Sequence, residues 1–356
     1  AEIISQAYCQ IASPSYRRFQ GKEGNPRVLR HVVMTYPSGM REEEKAIYEV
    51  LARNACLLVS HLFRIPGDRR ANQDGREPYL FVDEALAAQM VFLYQEITGT
   101  FAGSMEDFVR VYGAPDGSVR IASVDIGGGT CDVMIAEYKD RLAGAGTALH
   151  IEELFQDGVS VAGDEVCRAI VEDIVLPQML HQLDRQQKAR LVHLFGEGDG
   201  GYGAAWRSLK AKLVPYFWLP LARAFWAVAE GFQIPGHVPD RAYSIDDLAR
   251  IFDSSTWSPT VLAEADRFLE TAMPGFPGLR SLFFRFERAD AEGAIESVLR
   301  EPLRRYADVI AQFDVDVRVL AGRTSALPCV RDVFLSEMPV APPRIRSMAR
   351  YRVGDW

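Results

Sequence analysis

An α/β fold in two lobes, with a mostly helical subdomain inserted into the second, is the architecture the sequence predicts. Three observations lead to it. Strand and helix patterns alternate at both ends of the chain, and the stretch between them reads almost wholly as helix. The 356 residues, 48% of them hydrophobic, are enough to bury a sizeable core spread over about two domains.

The elements follow in order. "ISQAYCQIAS" predicts a short helix and "GKEGNPR" the loop after it. "VLRHVVMTYPSG" is a β-rich run stopped by Pro37 and Gly39. "REEEKAIYEVLARNACLLVSHLF" predicts a long helix with acids in its first turn, where the helix dipole favours them. The polar loop "PGDRRANQDGREP" leads to the short run "YLFV" and then to the helical stretch "DEALAAQMVFLYQEIT". "GAPDGS" reads as a turn, and "SVDIGGGTCDVMIAEY" as two strands around three glycines; "FQDGVS" also reads as a turn. Beyond Gly158 the chain turns helical, starting with "AGDEVCRAIVEDIVLPQMLHQL", with "EGDGGYG" as a loop. "LVPYFWLPLARAFWAVAEGF" predicts a turn and a buried amphipathic helix, since Pro215, Pro220 and Arg223 break it short of the ~20 apolar residues of a membrane span. In "SIDDLARIF", Ser244 with Asp247 three residues on is a capping-box variant. A last helix around "AIESVLREPLRRYADVIAQF" feeds the strand "DVRVLAG" and then "RTSALPCVRDVF".

Charge and cysteines narrow the function classes. A net charge of −8, from 40 basic and 48 acidic residues, argues against nucleic acid as a partner, because phosphate backbones demand a basic face. The five cysteines are odd in number and form no CxxC, which reads as reduced thiols in a cytoplasmic protein. No basic segment followed by an apolar one opens the chain as a signal peptide would.

The chemistry concentrates in DxGGGT, Asp125 to Thr130. Consecutive glycines between two strands leave several backbone N–H groups pointing into one space, a nest suited to phosphate oxygens. Asp125, at the end of the first strand, is placed to hold a water of a Mg²⁺ ion, which takes few carboxylates and keeps several waters. Thr130 adds a hydroxyl for the phosphate or its attacking water. A glycine-rich turn without a ligand is the plainer account of the same residues. No GxxxxGK[ST] occurs, so this is not a P-loop.

Together with "VVMTYPSGMREEEKAIYEVL", "LFVDEALAAQM" and "VRVLAGRTSALPCVRDVF", the stretch "VDIGGGTCDVMI" resembles the nucleotide-binding domain of DnaK-type heat-shock chaperones, which has the actin-like ATPase, ribonuclease-H-like fold. The corresponding chaperone segments read VITVPA, NEPTAAA, DLGGGTFDVSI and VGGSTRIP. The segments "LRHVVMTYPSGMREEE", "VDEALAAQMVFLYQEI", "ASVDIGGGTCDVMIAEY", "LAGRTSALPCVRDVF" and "YRVGDW" are closer still to the SrfB-type bacterial virulence factors, long proteins with an actin-like ATPase core. Members of that family are much longer than this chain, so the resemblance implies further sequence before Ala1 and beyond Trp356.

The resemblance implies ATP and Mg²⁺ as cofactors and assigns roles by position. Asp125 becomes the ligand of a Mg²⁺-bound water, with Asp132 a structural or metal-shell carboxylate. Gly127, Gly128 and Gly129 become the phosphate cradle, and Thr130 the neighbour of the γ-phosphate. Glu84 matches the glutamate of NEPTAAA that sits near metal and attacking water; taken alone it is a plain acid at a helix start. Gly163 matches a glycine of the LGGED block that approaches the nucleotide. Lys212 matches a ribose-contacting lysine, although a solvated helical lysine explains it as well. Gly322, Arg323 and Thr324 match the adenosine loop, with one departure: Arg323 stands where the family has its second glycine. Its guanidinium can stack on a base or bind phosphate instead. A second departure is the absence, before Arg27, of the DxGTT-like first phosphate hairpin.

The expected division follows the same resemblance. Residues 1–117 form part of the first lobe, 118–162 with 302–356 the ribonuclease-H-like core of the second, and 163–301 the helical insertion. The leading functional expectation is an ATP-binding, ATP-hydrolysing, chaperone-like conformational switch associated with virulence, read by partner proteins from the same gene cluster. The alternatives are a catalytically inactive pseudo-ATPase scaffold and a small-molecule kinase of the same fold. Neither a nucleic acid nor a membrane span belongs to any of them.

Overall fold

Three sheets and the helices packed with them account for the described residues, 2–19, 32–63, 79–143, 146–196, 201–236, 241–252, 257–338 and 340–351, of the computed structural model. The expected loops at 21–27 and 66–78, residues 197–200 of "EGDGGYG", and all of "YRVGDW" after Tyr351 lie outside them.

The N-terminal part has helices α1 (Glu2–Ala12), α2 (Pro14–Phe19) and α3 (Glu42–Phe63) and a two-stranded parallel sheet. Strands β1 (Val32–Tyr36) and β2 (Tyr79–Asp83) pair in register from Val32 opposite Tyr79 to Tyr36 opposite Asp83. Helix α4 (Glu84–Gln95) starts directly after β2, because the Asp83 carboxylate accepts from the N–H groups of Ala85 and Leu86 and so caps it. A π-helical turn, Glu96–Thr100, follows. The short helix α5 (Met105–Tyr112), capped by Ser104 at the Asp107 N–H, is one for which the sequence reading makes no assignment.

The central sheet has five strands in the order β5-β4-β3-β8-β9. Strands β3 (Ser118–Ile126), β4 (Cys131–Ala143) and β5 (Gly146–Val159) run antiparallel, while β8 (Val317–Ala321) and β9 (Ile345–Ser347) continue parallel from β3. "GAPDGS" is a turn, with Gly117 at φ +84°. "FQDGVS" is not: Asp157 and Gly158 belong to β5, paired with Val133 and Asp132. Gly158 sits in a strand because the backbone of Gly39 lies against it; a Cβ there would come within 2.9 Å of the Gly39 Cα and 2.4 Å of an Asp132 carboxylate oxygen.

Strands β3 and β4 are buried on both faces, and side-chain alternation sends them to two cores. Val119, Ile121, Ala136 and Tyr138 pack with Phe92 of α4 and Phe108 of α5. Ala122, Val124, Ile126, Cys131, Val133 and Ile135 face a larger core made mostly of helices. That body contains α6 (Gly163–Ile170), which runs through a π-helical turn into α7 (Leu176–His181), then α8 (Arg185–Phe195), α9 (Gly203–Leu213), α10 (Leu219–Ala229), α11 (Ile245–Ile251), α12 (Pro259–Ala272) and α13 (Arg288–Ile310). The capping box expected at Ser244 and Asp247 forms at the start of α11. A two-stranded antiparallel ribbon, β6 (Ala242–Ser244) with β7 (Phe283–Arg285), lies in the same body, and α14 (Pro328–Glu337) follows β8. The fold is therefore mixed α/β, mostly helical around a central mixed sheet.

Candidate functional site

The β3–β4 hairpin closes with Ile126 opposite Cys131, leaving Gly127 to Thr130 as its turn. The Gly127 N–H donates to the Thr130 carbonyl at 2.9 Å. Two other segments fasten onto this turn. The Gly163 and Asp164 N–H groups, at the start of α6, donate to the carbonyls of Gly127 (3.1 Å) and Gly128 (2.6 Å). The Thr324 hydroxyl donates to the Gly127 carbonyl at 3.2 Å. A side chain at Gly163 would crowd this contact, its Cβ standing 3.1 Å from the Gly127 oxygen and 3.3 Å from the Thr324 hydroxyl. Gly322 is more tightly confined: its φ is +79°, and a Cβ would meet the Ile126 carbonyl at 2.3 Å and the Asp125 carboxylate at 2.5 Å.

Gly128 and Gly129 differ from these. Neither has a positive φ, both are exposed, and among the described residues a Cβ on Gly129 would find nothing within 4 Å, while one on Gly128 would find only Asp164, at 3.9 Å. Among the described residues their N–H groups donate to nothing. The fold itself does not demand glycine at either position.

Beside the turn four carboxylates share one field. Asp125 and Asp132 face each other across the hairpin, on the sheet face toward α4, and Asp83 and Glu84 come from the β2–α4 junction. Asp83 is fully engaged: it caps α4, accepts from the Ser38 hydroxyl at 2.8 Å, and accepts from the Gln156 amide at 2.8 Å. Asp132 accepts from the Thr130 hydroxyl at 2.7 Å and the Gly39 N–H at 3.0 Å. The single proton of Thr130 is thus committed to Asp132, so donating it to a phosphate requires that bond to break. Among the described residues, Glu84 takes only a long 3.4 Å contact from Thr35. Asp125 accepts no hydrogen bond among the described residues.

Burial, then the charges of Glu84, Asp132 and Asp83, push the Asp125 carboxyl up to about 6. Burial also raises Glu84 and Asp132 above the usual carboxylate range, opposed by the Thr35 contact on Glu84 and by the Thr130 and Gly39 bonds on Asp132. A half-buried carboxylate with like charges around it and no donor is stabilised by a cation. Among the described residues, however, no three His, Cys, Asp or Glu groups are placed to bind a metal ion together. A Mg²⁺ ion held here would be held through its waters.

Arg323 pairs with Glu230 on the helical body. Its Nε and one terminal nitrogen donate to the Glu230 carboxylate at 3.1 and 2.9 Å, beside a cavity of about 430 Å³ lined by Glu230, Gly322, Arg323, Ala326, Met348 and Ala349. Lys212 is not brought to these residues; it pairs with Glu264 on α12 at 3.3 Å. The structure thus gathers Glu84, Asp125, Gly127, Gly128, Gly129, Thr130, Asp132, Gly163, Gly322 and Thr324, with Arg323 at the margin.

A family model described as virulence factor SrfB matches residues 1–356, the whole chain. The chain belongs to the SrfB virulence factor family. Membership associates it with virulence. None of the curated proteins compared with the chain matches it. No helix among the described residues is long and apolar enough to cross a membrane.

In this SrfB chain the residues that sequence reasoning missed are supporting ones. Gln89, fully buried on α4, donates to the Ser123 hydroxyl at 2.8 Å and the Met134 carbonyl at 3.0 Å, and accepts from the Tyr138 hydroxyl at 2.6 Å. It ties the helix that begins at Glu84 to the strands that carry Asp125 and Asp132. Its signal was legible: a single amide in the apolar run "ALAAQMVFLY". Asp83, just ahead of a helical pattern, carried an N-cap signal. Nothing local announced Gly158, Gln156 or Glu230, whose partners are distant in sequence.

Proposed function

We propose that the chain is the nucleotide-binding core of a phosphate-dependent conformational switch, with the triphosphate cradled on the Gly127 to Thr130 turn. ATP is the nucleotide the family resemblance implies. The observation that carries the reading is the pair Gly128 and Gly129: open space around both, unpartnered N–H groups, and no backbone reason for glycine. A ligand that approaches that backbone closely accounts for both glycines, and phosphate oxygens match its donors.

The strand order β5-β4-β3-β8-β9 supports a ribonuclease-H-like lobe built from 118–162 and 302–356. The helical body supports an insertion at 163–301, and the separate β1–β2 sheet supports first-lobe material in 1–117. Asp125 and Asp132 are the residues that would hold Mg²⁺ through water, and the ion would supply charge neutralisation at the phosphates. Glu84, with one oxygen uncommitted among the described residues and its carboxyl raised, would orient a water and take its proton. Gly163 and Thr324 fix the turn so that its amides are in place before a ligand arrives.

Saturation-transfer NMR with millimolar Mg-ATP, on wild type and on Gly128→Ala combined with Gly129→Ala, tests this. The expected result is an unchanged melting temperature with binding weakened at least tenfold. Equal binding by both proteins removes the turn from the site. A catalytically inactive pseudo-ATPase scaffold is the second reading, favoured by the Arg323–Glu230 pair standing where a second glycine would be; on that reading wild type binds nucleotide weakly or not at all.

A further inference from the structure

The cavity at Glu230 and Arg323 carries chemistry that the glycine turn does not explain. It adjoins the turn through Gly322, whose backbone lies against Asp125 and Ile126. Its volume of about 430 Å³ is in the range of small-molecule sites, roughly 300–1,000 Å³. Four of its six lining residues are glycine, alanine or methionine, and the two polar ones are a carboxylate and a guanidinium bonded to each other.

The two halves of that pair are unequally held. Glu230 follows the last turn of α10, its side chain is only 20% exposed, and Trp226 Nε1 donates to its Oε1 at 2.9 Å. Arg323 is 77% exposed, and Glu230 provides both of its hydrogen bonds among the described residues. The exposed guanidinium, tied to one partner, can swing into solvent, while the Glu230 carboxylate stays held by Trp226.

Resting on the nucleotide reading above, the geometry points to a base site that selects guanine over adenine. Guanine presents two acceptors, N7 and O6, next to two donors, N1–H and the 2-amino group. A guanidinium binds the first pair and a carboxylate accepts from the second, so the base edge takes up both halves of the opened ion pair. Adenine conflicts with both: its 6-amino donor meets the guanidinium, and its N1 lone pair meets the carboxylate. A site built for donors rejects a base lacking them, because its own polar groups are left unpaired. One bidentate contact of this kind discriminates about tenfold or more.

The test measures dissociation constants of Mg-GTP, Mg-ITP and Mg-ATP for this chain by saturation-transfer NMR. Inosine keeps O6, N7 and N1–H but lacks the 2-amino group. The expected order is GTP, then ITP, then ATP, with GTP at least tenfold tighter than ATP. Glu230→Gln should erase most of that gap, and Arg323→Ala, at an exposed position that threatens no fold, should narrow it. Equal affinities, or tighter ATP, in wild type overturn guanine selection and leave the nucleotide reading standing. No binding of any of the three at millimolar concentration overturns both.

Discussion

At the residue scale, Asp125 and the glycines around it separate what folding needs from what a ligand needs. The folded Asp125 carboxyl, at about 6 against an ordinary 3.8, holds its proton more tightly than in the unfolded chain. Between those values the native state binds more protons than the unfolded state, so stability falls as pH rises through the window. The ionised form costs up to about 3 kcal/mol, at ~1.4 kcal/mol per pKa unit. Asp125→Asn should therefore stabilise the chain by as much as about 3 kcal/mol at pH 8 in chelator, with the gain gone near pH 4. Urea denaturation at the two pH values checks it, and a pH-independent difference would detach the effect from titration. Gly322→Ala should cost about 3 kcal/mol or more, since it adds overpacking at 2.3 Å to a backbone angle of +79° that alanine resists. Gly129→Ala should leave the melting point almost unmoved, because its Cβ meets open space.

At the scale of elements, the amide of Gln89 decides where α4 sits on the central sheet. Its three buried bonds, with Ser123 and Tyr138 as side-chain partners, fix the helix whose first residue is Glu84. Orphaned buried groups cost about 1–3 kcal/mol each. Gln89→Leu should therefore lose roughly 3 kcal/mol or more, and Tyr138→Phe, which removes one bond, about 1–2 kcal/mol. Chemical denaturation of both variants measures this; an unperturbed Gln89→Leu would mean that apolar packing alone seats the helix. The same elements show what was legible in the sequence. Long periodic helices such as Glu42–Phe63, and the hairpin at Gly127 to Thr130, were readable because their signals are local. Helix Met105–Tyr112 was not read, although Ser104 carried an N-cap signal, because only two turns of pattern follow it. The "QDG" of β5 misled, since glycine serves there for the close approach of Gly39, a contact from 119 positions upstream. Of the site, the residues gathered at the turn share short motifs, whereas Glu230 enters through the three-dimensional fold alone.

For the whole molecule, the central sheet and the β1–β2 sheet have very different support. Strands β3 and β4 lie between two cores, whereas β1 and β2 form a parallel pair whose Val33 is 60% exposed. Parallel strands are normally covered on both faces, and two strands alone are marginal. Helix α3 beside them leaves Ile47, Val50, Leu51, Leu57, Leu58 and Leu62 at least half exposed. Hydrogen exchange should show β1 and β2 amides opening on the order of 100-fold faster than those of β3 and β4; equal protection would mean that the pair is buried in solution. The same imbalance governs turnover. A transferring phosphoryl group needs donors and metal on several sides at once. Among the described residues, one glycine hairpin faces the carboxylates, and the β1–β2 sheet brings no second. Hydrogen bonds to charged groups contribute about 1.5–3 kcal/mol each, so lacking two or three weakens binding at least ~100-fold. Losing even one preorganised donor costs on the order of 100–1,000-fold in rate. This chain by itself should thus bind Mg-nucleotide only near the millimolar range and release phosphate no faster than buffer. Calorimetry beside a phosphate-release assay checks both halves. Micromolar affinity with turnover would place a second phosphate loop within these 356 residues, or between two copies of the chain.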